Sequence, residues 1–235
     1  MNYLNDYYDG MRGIDTTARV GPVRLTASKL KPAPRVLAAG LTSIAVASAA
    51  GFVLAALTSW WLLAVGAAAI VASLAYSGGP KPYASAGLGE LFVFVFFGLV
   101  ATCGTTYVND GSIPPRAWWS GASIGLIAVA ILVVNNLRDI QTDTAAGKRT
   151  LAVRIGESAT RALYVACTVL PFFLLGPVLA SHRTAALAML AFPLAMALQF
   201  RFVSARGPAL VPVLVGTARL QLAFAVLLAI GLAIR

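Results

Sequence analysis

Acidic residues, histidine and cysteine are all scarce in this chain of 235 residues. Only eight residues are Asp or Glu, one is His and two are Cys, against 18 Lys and Arg, and the formal net charge is +10. A single histidine, His182, argues against a histidine-centred metal site or catalytic triad. Cys103 and Cys167 lack CxxC spacing and are expected to be small apolar packing residues.

Polar surface is scarce as well. Hydrophobic residues make up 59% of the chain and charged residues 11%, and the mean hydropathy is +0.83. This composition excludes a water-soluble globule, because too few polar side chains are available to cover its surface. The apolar runs are continuous and lack the alternation of a membrane β-barrel.

Seven apolar stretches predict seven transmembrane helices, each close to the roughly 20 residues that span the hydrocarbon. The stretches are 36–57, 60–77, 88–108, 117–137, 161–180, 185–203 and 211–234. We therefore predict an all-α, multi-pass bundle and treat residues 1–235 as a single transmembrane domain. Its many Ala and Gly residues would let the helices pack closely.

The basic residues orient this bundle. If the loop 138–160 faces the cytoplasm, most Lys and Arg residues lie on that side of the membrane. The residues on the opposite side are then Arg116, Arg183 and Arg235, and Arg219 lies in or near the last span. We expect a bacterial inner-membrane protein whose cytoplasmic surface lies against the anionic headgroups of the lipid bilayer. Nucleic acid is a poor fit as a partner, because the basic surface consists of short loops.

Most of the acidic residues fall into two clusters on the predicted cytoplasmic side. The first contains Asn5, Asp6, Asp9 and Asp15. Asn5 and Asp9 are four residues apart and Asp6 is three before Asp9, so a helix would bring their oxygens together. Acids grouped in this way are costly in a strongly apolar chain unless a cation lies between them.

The second cluster is the run NNLRDIQTD at 135–143. Asn135, Asp139 and Asp143 are four residues apart, which predicts one stripe along a helix. Carboxylate and carboxamide oxygens suit Mg²⁺, so two acid-rich helix ends facing each other could hold Mg²⁺ ions and, across them, a diphosphate. One such motif alone would more simply be a solvated face with ordinary ion pairs.

Three runs of this sequence resemble the UbiA superfamily of membrane prenyltransferases: NDYYDGMRGID at 5–15, YSGGPKPYASAGLGE at 76–90 and NNLRDIQTDTAAGKRTLAVRIG at 135–156. They are most similar to the branch that prenylates 1,4-dihydroxy-2-naphthoate in menaquinone synthesis. The resemblance implies an enzyme that uses Mg²⁺ to transfer a polyprenyl group from polyprenyl diphosphate to that acceptor, with decarboxylation, giving demethylmenaquinol. Together with the basic residues, it places the expected active site on the cytoplasmic side.

The resemblance also implies roles for individual residues. The metal-binding residues would be Asn5, Asp6, Asp9, Asp139 and Asp143. Those that hold substrate would be Asn135, Asn136, Arg138, Arg149, Tyr76 and Lys81. Catalysis, chiefly by positioning and charge stabilisation, would fall to Asp9, Asp139, Asp143 and Lys148. Glu90 has two interpretations: it orients the loop with Lys81, or it only interacts with a helix dipole.

The chain departs from the family pattern in two places. Gly13 stands where the superfamily motif NDxxDxxxD has an acid, and the next acid is Asp15, as is common in the naphthoate branch. Family members have nine spans, and the first helix and most of the second have no counterpart here, so we expect an N-terminally truncated chain. Three alternatives stay open: a superfamily member with another aromatic acceptor, a cation-coupled transporter and an inactive fragment. A transporter would be expected to place acids near the bilayer midplane rather than on one side.

Overall fold

The computed structural model describes residues 1–14, 23–80 and 82–234, and over these ranges the chain is helical without β-strands. Asp15 and Lys81, both part of the motif runs above, lie outside the described residues. The α-helices are α1 (Asn2–Met11), α2 (Ala33–Leu57), α3 (Leu62–Ala75), α4 (Gly89–Val93), α5 (Ala101–Asp110), α6 (Pro115–Arg138), α7 (Ile140–Ala145), α8 (Leu151–Phe173), α9 (Gly176–Ser181), α10 (Phe192–Ser204) and α11 (Leu210–Ala233). A π-helical segment, Phe94–Val100, joins α4 to α5.

The prediction of an all-α, multi-pass membrane protein is confirmed. Within the described ranges, six helical segments are long and apolar enough to cross a membrane: Ala33–Leu57, Gly89–Asp110, Pro115–Arg138, Leu151–Ser181, Arg183–Ser204 and Gly207–Ala233. The predicted stretch 60–77 instead contains α3, which has 14 residues and is shorter than a full span. Gly78, Gly79 and Pro80 follow α3 closely, and such residues stop helices.

The chain groups into two compact units. The first comprises Met1–Gly89 and Gln141–Val153, and the second comprises Glu90–Ile140 and Arg154–Arg235. Each unit therefore combines an early and a later part of the sequence. The single domain over 1–235 stays a prediction.

In the first unit, α1 packs on α2 through Leu4, whose side chain is fully buried near Gly40. The connection between α2 and α3 is short, and Trp60 within it packs edge-on against Phe52, with ring centroids 5.8 Å apart. Many apolar side chains of α2 and α3 are exposed. Exposed apolar faces of this kind are expected of helices that lie in lipid.

In the second unit, α6 is the most buried of the membrane-spanning segments. Its glycines Gly121 and Gly125 meet Gly98 of the π-helical segment, where an added Cβ would lie 2.5 Å from the Gly125 Cα. Only glycine allows two backbones to approach so closely, and contacts between small residues are a common way to pack membrane helices. This contact fixes the α4–α5 segment against α6.

Polar groups inside the second unit satisfy one another. Tyr164 Oη and Thr217 Oγ1 are 2.9 Å apart in the buried interior. Arg161 donates to the carbonyl oxygens of Phe202 and Ala205, at 2.7 Å each. The last carbonyl groups of a helix have no intrahelical partner, so Arg161 closes the end of α10. Such bonds are needed because the membrane interior offers no water as a partner.

One expectation about the second acidic cluster is wrong. Asn135, Asp139 and Asp143 do not form one stripe along a continuous helix, because α6 ends at Arg138 and α7 begins at Ile140. Asp139 lies between the two helices, with φ −95° and ψ 6°. Aspartate is a weak helix former whose short side chain competes for local hydrogen bonds. Asp139 and Asp143 consequently belong to different units.

Replacing Gly98 with alanine should destabilise the second unit. The new methyl group would overlap the backbone of α6, and overpacking of this kind costs about 1–3 kcal/mol. A Cβ added at Gly104, in α5, meets no atom within 4 Å, so Gly104→Ala is a matched control. Thermal unfolding in detergent should show a lower Tm for Gly98→Ala alone, and equal Tm values would contradict the close contact.

Candidate active site

The first acidic cluster is held on α1, in the first unit. Asn5 and Asp9 are one helical turn apart, and Asn5 Nδ2 donates to Asp9 Oδ2 at 2.9 Å and to Ser77 Oγ at 2.7 Å. Asp9 and Ser77 are each 3% exposed. A carboxylate, an amide and a hydroxyl group therefore meet in one buried cluster.

Lys148 links the two acidic motifs. Its Nζ is 3.1 Å from Asp9 Oδ2, and the two side chains are 15% and 5% exposed. Its backbone N–H donates to the carbonyl oxygen of Asp143 at 2.8 Å. This bond closes a turn in which Gly147 has a φ of +71°, a conformation that favours glycine. The buried Asp143 and the Lys148 ammonium group thus lie in the same unit as Asp9.

Two arginines brace this cluster. Arg24 Nη2 donates to Asn5 Oδ1 at 2.5 Å. Arg12 Nη1 donates to the Ser77 carbonyl oxygen at 2.8 Å, and Arg12 Nη2 donates to the Gly79 carbonyl oxygen. Arg24 fixes the orientation of the Asn5 amide, and Arg12 holds the turn that carries Ser77. Both guanidinium groups also make the surroundings favourable for an anion.

Asp6 points to a different partner. Its carboxylate oxygens accept hydrogen bonds from the backbone N–H groups of Leu25 and Thr26, each at 2.8 Å. Burial raises the pKa of Asp6, but hydrogen bonds from Thr26 and Leu25 and the charge of Arg24 lower it by more, so its pKa lies below the usual 3.8. Asp6 therefore anchors the segment around Leu25 to α1 as a carboxylate.

Tyr76 and Tyr83 form an aromatic pair after α3, with ring centroids 5.4 Å apart and an interplanar angle of 82°. The Ala84 N–H donates to the Tyr76 carbonyl oxygen at 3.2 Å and holds the two ends of this loop together. Burial raises the pKa of Tyr83 to about 12, so its phenol stays protonated at physiological pH. The pair offers an aromatic surface to an apolar or aromatic ligand.

In the second unit, the end of α6 carries a bidentate arginine–aspartate pair. Arg138 Nε donates to Asp139 Oδ1 at 2.7 Å, and Arg138 Nη2 donates to Asp139 Oδ2 at 2.6 Å. Arg138 Nη2 also donates to Asn135 Oδ1 at 2.9 Å. Both charged residues are buried, at 7% and 8% exposure. Fork geometry of this kind fixes the orientation of both charged groups.

Asn136, on the same end of α6, binds Glu90. Asn136 Nδ2 donates to Glu90 Oε1 at 2.9 Å, and both residues are buried. Glu90 lies at the start of the membrane-spanning segment Gly89–Asp110. Neither sequence-based interpretation of Glu90 included this contact.

The donor set of the first unit suits a hard cation. Among the described residues, no three His, Cys, Asp or Glu side chains come together to hold a metal ion. The Asp9 carboxylate and the Ser77 hydroxyl nevertheless offer oxygen atoms at one place, on either side of the Asn5 amide group that donates to both. Mg²⁺ commonly binds through few protein oxygens and completes its shell with water and substrate phosphates. With Lys148 beside them, these groups are suited to a phosphate-bearing anion and its cation.

Comparisons with known proteins agree with this chemistry. The model of the UbiA prenyltransferase family matches residues 1–215. This chain belongs to the UbiA prenyltransferase family. The resemblance predicted from the three motif runs is confirmed, and with it the prediction of a membrane prenyltransferase.

Several relatives of this UbiA family member carry the name 1,4-dihydroxy-2-naphthoate octaprenyltransferase. The protein from Mycobacterium tuberculosis is 43% identical over 234 residues, covering 99% of this chain and 80% of the relative. The protein from Mycobacterium leprae is 42% identical over 234 residues, covering 97% and 78%. The protein from Haemophilus influenzae is 35% identical over 244 residues, covering 99% and 79%.

The structure brings the residues predicted for this UbiA site together in two groups. In the first unit, Asp9 contacts both Asn5 and Lys148, and the Lys148 backbone N–H donates to the Asp143 carbonyl oxygen. In the second unit, Asn135, Arg138 and Asp139 are bonded to one another, and Asn136 is bonded to Glu90. Arg149 is exposed next to Lys148, and Tyr76 packs on Tyr83. Lys81 lies outside the described residues.

Sequence reasoning missed two members of the cluster, Ser77 and Arg24. Ser77 is 72 residues from Asn5 along the chain, so spacing could not reveal their hydrogen bond. The run YSGGPKP was identified, but only Tyr76 and Lys81 were singled out within it. Arg24 is 19 residues from Asn5, so its contact with the Asn5 amide is visible only in the folded chain.

Replacing Asp6 with asparagine should destabilise the first unit. The amide group would present N–H to a backbone N–H, and loss of a hydrogen bond to a charged acceptor costs roughly 1–3 kcal/mol. Because the folded pKa of Asp6 is lowered, its contribution is complete above its usual pKa of 3.8 and is lost as the pH falls below that value. The Tm of Asp6→Asn should therefore be lower than wild type at pH 7 and approach it in acid.

The matched control is Asp110→Asn, which removes the same charge from an exposed position at the end of α5. Its Tm should follow the wild type at every pH. A difference between wild type and Asp6→Asn that did not change with pH would contradict the assigned role of the Asp6 carboxylate.

Proposed function

We propose that this member of the UbiA family transfers a polyprenyl group from polyprenyl diphosphate to 1,4-dihydroxy-2-naphthoate, with loss of the acceptor's carboxyl group as carbon dioxide. The product would be demethylmenaquinol, in menaquinone synthesis. The observation that carries the proposal is the contact of 3.1 Å between Asp9 and Lys148, which joins the first acidic motif to the basic tail of the second. The relatives named 1,4-dihydroxy-2-naphthoate octaprenyltransferase, aligned over nearly all of this chain, support the choice of substrates.

The oxygen atoms of Asp9 and Ser77 beside Asn5 fit Mg²⁺, and the family motif adds Asp143 of the same unit as a further ligand. The assignment of Asp139 as a ligand stays a prediction from the motif, because both of its oxygens accept from Arg138 within the second unit. When bound, Mg²⁺ would neutralise negative charge on the diphosphate. Asp6 supports the site indirectly, because its oxygens already accept two backbone hydrogen bonds that position the segment carrying Arg24.

Lys148 binds the diphosphate in this proposal. Its ammonium group has three donors and uses one on Asp9, so phosphate oxygens can take the others. Arg149 follows it and adds a second positive charge. These cations stabilise the negative charge that grows on the leaving diphosphate, which lowers the barrier to breaking the allylic C–O bond.

No side chain has to act as a nucleophile. The diphosphate leaves with the electron pair of the C–O bond, and π electrons of the naphthoate ring form the new C–C bond. The bond between the ring and the carboxylate then breaks, carbon dioxide leaves, and the electron pair of that bond restores the aromatic ring. The chain's contribution is to hold the two reactants close together and to exclude water, which would otherwise capture the prenyl cation. The half-buried aromatic pair Tyr76 and Tyr83 supplies part of this apolar environment.

We also place the chain in the bacterial inner membrane, with this site on the cytoplasmic face. Arg12, Arg24, Lys148 and Arg149 all accompany the acidic motifs. Basic residues concentrate on the cytoplasmic side of membrane proteins, so the motif-bearing segments are assigned to that side.

Purified protein given Mg²⁺, polyprenyl diphosphate and 1,4-dihydroxy-2-naphthoate should form the prenylated quinol and release carbon dioxide. Asp9→Asn, Asp143→Asn and Lys148→Met should each lower kcat/KM by about 100-fold or more, because the two aspartates would hold Mg²⁺ and Lys148 would bind the leaving diphosphate. Asp110→Asn, exposed and remote from the motifs in sequence, is the matched control and should keep full activity. Chelation with EDTA should abolish turnover, and added Mg²⁺ should restore it.

Absence of product with the wild-type protein, or undiminished turnover in all three variants, would overturn the proposal. Competition among 1,4-dihydroxy-2-naphthoate, 4-hydroxybenzoate and homogentisate tests the acceptor. A preference for 4-hydroxybenzoate or homogentisate would support prenyl transfer but would show that the proposed acceptor is wrong.

A further inference from the structure

Two buried polar atoms near the end of α6 have no hydrogen-bond partner among the residues that the structure describes. One is Glu90 Oε2, an acceptor, and the other is Arg138 Nη1, a donor. Both residues are 7% exposed, so water does not readily replace the missing partner. A buried polar group without a partner costs free energy, and such groups often mark the place of a ligand.

The other side of each residue is already held. Glu90 Oε1 accepts from Asn136 Nδ2 at 2.9 Å, which fixes the Glu90 side chain. Arg138 is fixed by its bonds to Asp139 and Asn135. The close contact of Gly98 with α6 holds the backbone that carries Glu90 against the helix that carries Asn136. Glu90 Oε2 is therefore an open acceptor on a rigid support.

From this geometry we infer that Glu90 binds a ring hydroxyl group of the aromatic acceptor, whose O–H donates to Glu90 Oε2. This inference rests on the proposed function. A hydroxyl group fits because it brings the missing polar hydrogen, whereas a ligand carboxylate would be repelled by the Glu90 carboxylate. The open donor on Arg138 has the opposite sign and suits a carboxylate. The proposed acceptor, an aromatic hydroxy acid, carries both groups.

Binding to Glu90 would also favour the reaction. A carboxylate that accepts a hydrogen bond from a phenol increases electron density on the oxygen and, through it, on the ring. The ring carbon that attacks the prenyl group is then a better nucleophile. Glu90 acts here by contact with the acceptor and takes no part in holding the diphosphate.

The experiment measures equilibrium binding of 1,4-dihydroxy-2-naphthoate and its two mono-O-methyl ethers to protein in nanodiscs. Wild-type protein should bind at least one ether about tenfold more weakly than the free diol, because methylation removes the donated hydrogen. Glu90→Gln should bind the diol about tenfold more weakly than wild type and should no longer distinguish that ether from the diol. Affinity for farnesyl diphosphate should be unchanged, which also reports that the variant is folded.

Glu157→Gln is the matched control, because Glu157 is the other glutamate of the chain and its exposed side chain pairs with Arg161 and Arg206. It should bind all ligands as wild type does. The inference is overturned if both ethers bind wild-type protein as well as the diol, a result that needs no variant. It is also overturned if Glu90→Gln binds the diol normally, or weakens diphosphate binding instead, as a pairing of Glu90 with Lys81 would predict. Product formation by the wild type tests the proposed function separately.

Discussion

A carboxylate can remain charged in a predominantly apolar chain only if a cation or several N–H groups face it. The ion pair of Asp9 and Lys148 meets this constraint for the first unit, and it joins positions 139 residues apart. Removing two charges from water is costly, so a buried ion pair contributes little to stability by itself. The pair of Asp9 and Lys148 instead serves ligand binding, because it keeps an oxygen ligand and an ammonium group together where an anion can bind.

Two other buried acids, Asp6 and Asp139, satisfy the same constraint in different ways, whereas Glu90 satisfies it for one oxygen. Asp6 is held by two backbone N–H groups, Asp139 by the fork of Arg138, and Glu90 by one amide group of Asn136. Two backbone amides or a guanidinium fork satisfy both carboxylate oxygens, whereas a single amide satisfies one. Structural and ligand-binding roles can therefore be separated by asking which oxygens already have partners.

Backbone packing underlies the second group of polar contacts. In a membrane, helices gain little from the hydrophobic effect between them, so close contact depends on small residues and hydrogen bonds. Gly98 against Gly125 and Tyr164 with Thr217 are examples of each. Such packing limits the movement of α6 and of the polar side chains at its end, and preorganised groups bind a substrate at lower entropic cost.

The sequence by itself determined the solvent, the fold class and the family. Mean hydropathy and uninterrupted apolar runs leave only membrane helices, and the motif runs carry the UbiA resemblance, because both are properties of local sequence. The sequence also predicted that Asn5 and Asp9 are neighbours, because residues four apart lie on the same face of a helix. Tertiary structure alone decided the rest. The break at Asp139, the short α3, and the contacts of Ser77 with Asn5 and of Glu90 with Asn136 depend on how distant segments pack, and no local pattern encodes those distances.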